Sequence, residues 1–174
     1  MVQTIIVPTD GSENAHKAVL LAGDLAEKYG ARVILLHALL RGHLPEGILR
    51  AAEAEHVGKQ MQQGPRSLAA DSVNIIASLK SQKGNQVPVD TLEFIGKMVL
   101  GGAVQALKDK GVKEIIKVVE EGDPALLILD SAKKHSADMI VMGNRGLGGL
   151  KGLLVGSVSH KVSQHAKCTC VTVR

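Results

Sequence analysis

Two short, uninterrupted apolar runs stand on either side of one amphipathic segment at the start of this chain. Thr4-Ile-Ile-Val7 is closed by Pro8, and Arg32-Val-Ile-Leu-Leu-His-Ala38 follows Gly30. Between them Ser12 offers an N-cap, and Ala15, Val19, Ala22 and Leu25 recur at helical spacing. The pattern reads as strand, helix, strand. A strand that is apolar at every position has no face left for water, so it belongs to a parallel sheet with helices on both sides.

The alternation returns late in the chain. Glu114–Val119 is predicted as a third strand, and Asp123-Pro124 opens a helix reaching about His135, with proline at the first helical position. Asp138–Met142 is a fourth strand, Ser157–His165 a short helix, and Cys170–Val173 a fifth strand. Residues 41–110 are longer than one crossover requires. Gly47–Met61 and Arg66–Leu79 look helical, broken at Gly64-Pro65; Ser81–Pro88 is a polar loop; Thr91–Lys110 is a long helical pattern stopped by Gly111. This segment is expected to be an elaborated helical crossover inside one domain, 1–174.

Composition narrows the function. Apolar residues make up 45% and mean hydropathy is +0.12, enough to build a core. No apolar run reaches the roughly 18 residues of a membrane span, and Met1–Asp10 has no secretory character. A soluble, cytoplasmic protein with no membrane partner is expected. Tyr29 and Phe94 are the only aromatics, which argues against base stacking and a nucleic-acid partner. The stretch Gly143–Arg174 carries Arg145, Lys151, Lys161, Lys167 and Arg174 and no acid, a local field suited to a small anion. His160, His165, Cys168 and Cys170 cluster in sequence, but Cys168 and Cys170 alternate along a strand and are expected to pack in the core, so no metal is expected on protein ligands alone.

In an open parallel sheet, ligands bind beyond the carboxyl ends of the strands at the topological switch point. Two polar, glycine-bearing clusters fall at such ends: Pro8-Thr-Asp-Gly-Ser12, and Gly143-Asn-Arg-Gly-Leu-Gly-Gly149. Glycine there lets backbone N–H groups approach phosphate, and Gly156-Ser157 opens a helix whose N-terminus favours anions. Arg145 adds a cation. The chain has no Gly-x-x-x-x-Gly-Lys-Ser/Thr and no Gly-x-Gly-x-x-Gly after its first strand, and no nucleophile elbow.

These residues resemble the universal stress protein family, in its ATP-binding branch. Gly143, Gly146, nine residues from Leu147 to Val155, and Gly156-Ser157 match the branch's glycine motif; Pro8, Asp10 and Ser12 match its Pro-x-Asp-x-Ser. The likeness covers residues 1–40 and about 111–174, with a longer segment at 41–110 and Cys170 where a small apolar residue is common. It implies a Rossmann-like, adenine nucleotide α-hydrolase-like α/β sheet of five parallel strands in the order 3-2-1-4-5. It also implies ATP with Mg or Mn as ligand. Ala38 and Pro8 would flank the adenine, Asp10 would bind the ribose or a phosphate-bound metal, and Thr9, between Pro8 and Asp10, would belong to the same nucleotide site. The segment Met142–Gly146, with Met142, Gly143, Arg145 and Gly146 as its site residues, would hold ribose and phosphates, and Gly156, Ser157 and Val158 the terminal phosphates. It implies a homodimer through the last strand, whose midpoint, Val171, is where a proline is expected to break pairing.

The function expected is a regulatory or stress-response ATP-binding protein, in which nucleotide switches conformation or partner. No catalytic residue is assigned, and hydrolysis is expected to be slow at most, because no acid follows strand four. An ATP-using enzyme of the same architecture and a dimer that binds no nucleotide are the alternatives.

Overall fold

The computed structural model describes residues 1–39, 89–147 and 155–174. The expected helices at 47–61 and 66–79, the loop at 81–88, and residues 148–154 lie outside them. The elements are β1 (Thr4–Pro8), α1 (Glu13–Tyr29), β2 (Arg32–Leu39), α2 (Val89–Asp109), β3 (Ile115–Glu121), α3 (Pro124–Lys134), β4 (Met139–Gly143), α4 (Ser157–His165) and β5 (Thr169–Val173). All strand pairs are parallel, in the order β3-β2-β1-β4-β5. No helix among the described residues is long and apolar enough to cross a membrane.

Local signals set the helix ends. Ser12 accepts the Ala15 amide through its hydroxyl at 3.2 Å, and Asp123 accepts the Leu126 amide at 3.0 Å. Each satisfies one of the orphan amides of a first helical turn. Gly30 ends α1 at φ 66°, a left-handed conformation that a Cβ disfavours, and returns the chain to β2.

The sheet separates two apolar layers. On one side Ile5, Val7, Val33, Leu35 and Val141 meet Ala18, Ala22 and Ala26 of α1 and Leu100 and Leu107 of α2. On the other, Ile6, Ile34, Leu36, Ile140 and Met142 meet Ala125 and Ile128 of α3 and Val162 of α4. Burying each of the larger side chains contributes about 1.5–3 kcal/mol. Cys168 and Cys170 both pack against this second layer, the common face their alternation requires. Burial pushes both thiols above the ordinary cysteine range.

Three strand boundaries shift. β3 runs on to Glu121 because Glu120 and Glu121 pair through their backbones with Ala38 and Leu39 while their side chains face water. β4 runs Met139–Gly143, and Asp138 just before it anchors the start of β1 by accepting the Gln3 and Thr4 amides on its carboxylate at 2.7 and 3.0 Å. β5 starts at Thr169, with Val171 opposite Val141. The Thr169 N–H donates to Asp138 and the Val173 carbonyl accepts from Asn144, so alternate residues 169, 171 and 173 face β4. Val171 therefore turns its N–H inward; Cys170 and Thr172 present theirs at the open edge.

Candidate functional site

The sheet parts at its switch point. β1 pairs with β2 as far as Pro8 and β4 with β5 as far as Gly143, yet β1 and β4 share only Ile5–Met139 and Ile6–Ile140. Beyond those two rungs the carboxyl ends of β1 and β4 diverge. The first turn of α1 fills part of the gap: a Cβ at Gly143 would lie 2.9 Å from the Ala15 nitrogen and 2.9 Å from the Asn14 carbonyl carbon. The glycine at 143 is there so that helix backbone can touch strand backbone.

Asp10 closes the gap from the other side. Its Oδ1 accepts the Ser12 amide at 3.0 Å, and its Oδ2 accepts the Leu147 amide at 2.8 Å across 137 residues of sequence. Gly146 passes so near that a Cβ would collide with Oδ2. Gly11, at φ 82°, supplies the left-handed backbone that turns β1 into α1, and Thr9 Oγ1 accepts its amide at 3.4 Å. One carboxylate thus ties together the two clusters singled out in the sequence.

The third glycine opens α4. Gly156 donates its amide to the Asn144 carbonyl at 2.7 Å, and a Cβ on it would stand 3.2 Å from that oxygen and 3.3 Å from Arg145 Cα. Unlike Ser12 and Asp123, Gly156 brings no side chain to cap its helix, and the first turn of α4 holds no acid. Its leading amides and the positive end of its dipole therefore have no acidic side chain from the cap or the first turn of α4 itself to answer them.

The other expected residues divide. Pro8 is half-buried at the end of β1, and Thr9 and Met142 are buried. Arg145 and Val158 are half-buried, Val158 against the second apolar layer; Gly146 and Ser157 are exposed. Ala38 is on β2, with β1 between it and β4. His160, on α4, is exposed.

Two residues have roles that the sequence did not assign them. Asn144 is buried, and its Oδ1 accepts from Asn14 Nδ2 at 2.9 Å. Its carbonyl also accepts from Ser159 Oγ at 2.7 Å, so it joins β4, α1 and α4. His37 is buried at the end of β2, with Nδ1 2.8 Å from the Thr9 carbonyl. A histidine inside an otherwise apolar central strand was the available signal for the second; the first lies inside the Met142–Gly146 segment, but nothing in the sequence pointed to its bond with Asn14.

For a metal, both Asp10 oxygens already hold backbone amides, and the described residues contain no group of three or more His, Cys, Asp or Glu able to cage an ion. These residues fit a divalent cation only as the companion of ligand phosphates.

The universal stress protein family profile matches residues 1–174. The chain is 30% identical over 174 residues to the universal stress protein YxiE of Bacillus subtilis, covering 100% of both chains. It is likewise 30% identical over 178 residues to the stress response protein NhaX of the same organism, covering 98% of this chain and 96% of that one. Among solved structures, the universal stress protein UspA from Lactobacillus plantarum superposes with a TM-score of 0.69 at 22% identity, over 99% of this chain and 98% of that one. A universal stress protein in complex with cAMP gives 0.59 at 23%, covering 99% and 97%. One from Archaeoglobus fulgidus in complex with dAMP gives 0.62 at 19%, covering 100% of both. The five-stranded parallel sheet with its 3-2-1-4-5 order is the fold of these structures, and this chain belongs to the universal stress protein family.

Proposed function

We propose that this protein binds ATP, accompanied by Mg or Mn, at the split between β1 and β4, and that the nucleotide acts as a regulatory switch in the cytoplasm. The observation that carries the reading is the start of α4. An uncapped, acid-free helical turn stands beside a glycine loop that a carboxylate draws onto the switch point. Gly146, Ser157 and Val158 supply amides for phosphate and Arg145 a guanidinium, while Gly156, whose own amide is held by the Asn144 carbonyl, leaves room for the phosphate to approach; each charge-assisted bond of this type contributes roughly 1.5–3 kcal/mol. Asp10, Met142 and Gly143 border the ribose, and Pro8, Thr9 and Ala38 the base. Two of the fold relatives described above carry adenine nucleotides, which supports adenine as the base.

Binding is favoured over turnover. A general base must lie within hydrogen-bond reach of the attacking water, and no Asp or Glu follows β4 in the sequence from Gly143 to Arg174. The divalent cation would lower the charge of the phosphates, and this chain's residues would orient the nucleotide. Homodimerisation through β5 belongs to the same proposal, because β5 is an edge strand with no charge from Thr169 to Val173.

The test is calorimetric titration with ATP and Mg. Gly156→Val puts a branched side chain against the Asn144 carbonyl and over the first turn of α4. We expect ATP affinity to fall at least tenfold, on the order of two lost phosphate contacts, with AMP affected less. An unchanged ATP affinity would refute the phosphate assignment.

A further inference from the structure

We infer that His37 is the positioning residue of the Asp10 turn. The inference rests on the nucleotide reading for its importance to binding, but its structural content stands without it.

The ring is buried, 5% exposed, at the end of β2. Its Nδ1 lies 2.8 Å from the Thr9 carbonyl oxygen, an atom that can only accept. Nδ1 therefore carries the proton and donates, which fixes the tautomer of the neutral ring. Thr9 is held at its other end as well, since its amide donates to the Leu36 carbonyl at 2.9 Å. With both sides of the residue tied to β2, the chain leaves β1 in one direction. The next links follow: Thr9 Oγ1 accepts the Gly11 amide, Asp10 Oδ1 the Ser12 amide, and Asp10 Oδ2 the Leu147 amide. His37 is the first member of a chain of contacts running from β2 through the turn to the glycine loop.

The opposite edge of the ring is held by α2. Gly96 approaches so closely that a Cβ there would sit 3.0 Å from His37 Cδ2. Three residues later on the same helix, Val99 Cγ2 would lie 3.2 Å from a Cβ at Gly11. Helix α2 thus rests on the histidine and on the turn that the histidine orients. A ring held between a carbonyl and a helix backbone is restrained on both edges, and that preorganisation is what a ligand-binding carboxylate needs.

The experiment compares His37→Phe with His37→Asn in the full chain. Phenylalanine keeps a ring against Gly96 but removes the donor; asparagine places an amide Nδ2 near the position of Nδ1 and gives up the ring. Hydrogen exchange of the Gly11, Ser12 and Leu147 amides is read without nucleotide, and affinity for ATP with Mg by calorimetry. His37→Phe should speed exchange at those amides and weaken ATP about fivefold, the net effect of one hydrogen bond. His37→Asn should recover wild-type exchange and affinity even where its melting temperature is the lower of the two. Exchange at the turn unchanged in His37→Phe, or both readouts simply following melting temperature across the two variants, overturns the inference. If wild-type protein fails to bind ATP, the nucleotide reading falls and the exchange arm still decides the role of His37.

Discussion

Replacing Gly143 by alanine adds one methyl group at the tightest backbone contact in the site. The new Cβ would stand 2.9 Å from the Ala15 nitrogen, 2.9 Å from the Asn14 carbonyl carbon and 3.0 Å from Asn14 Cβ. Two of those atoms are helix backbone and cannot swing aside as a side-chain tip could. Either α1 lifts at its first turn or β4 bends away, and the Asn14–Asn144 bond at 2.9 Å lies directly beside the strain. Overpacking of this kind costs about 1–3 kcal/mol. For a domain of this size that corresponds to a melting temperature lower by about 2–12 °C. Gly101→Ala is the control of opposite sign: Gly101 lies within α2, is exposed, and a Cβ there meets nothing within 4 Å. Removing glycine's unfolded-state freedom should stabilise by about 0.5–1 kcal/mol. Urea unfolding followed by circular dichroism reads both. A Gly143→Ala midpoint at or above wild type, with an unchanged slope, would refute the account of Gly143 as a packing glycine.

Three further outcomes follow from named contacts. The Gln3 and Thr4 amides hold the Asp138 carboxyl below the usual aspartate range, so its contribution is present above the unfolded value near 3.9 and lost as pH falls through the lower folded one. The stability gap between wild type and Asp138→Asn should therefore close on acidification in urea titrations, and a gap independent of pH would contradict it. Both cysteine thiols, raised by burial, should react with an alkylating reagent at neutral pH more slowly than free cysteine, and equal rates would count against that environment. Thr172→Pro removes an N–H at the open edge, whereas Val171→Pro removes one from the β4 ladder. Light scattering should show a dimeric wild type, a folded monomeric Thr172 variant, and a Val171 variant destabilised as a monomer; a dimeric Thr172→Pro variant would sink edge pairing.

The central layers were legible because their signals are local. Ser12, Gly30, Asp123 and Pro124 mark helix ends by capping and φ alone, and the structure places those ends at the marked residues. The edges were harder. Glu120 and Glu121 belong to β3 because an edge strand needs only its backbone to pair on one side, so their charge hides a strand that hydropathy would end earlier. In the site, Asp10 and Gly146 meet as their positions at two strand ends suggested. His37 and Asn144 act across 28 and 130 residues of sequence, through a carbonyl and an amide that no spacing rule connects to them. Gly143 matched a phosphate motif, and the structure gives it a packing task that the motif does not distinguish.

The two rims of the sheet differ in a way that sets how far any self-association can proceed. β3 shows water the side chains of Lys117, Glu120 and Glu121, while β5 shows none that is charged. A monomer with two compatible rims can add copies at both and grow without limit. A monomer with one guarded rim and one bare rim behaves like a polymer unit of functionality one, for which the first bond is also the last. Neutralising Lys117, Glu120 and Glu121 together would raise that functionality to two, and the expected product is a fibre.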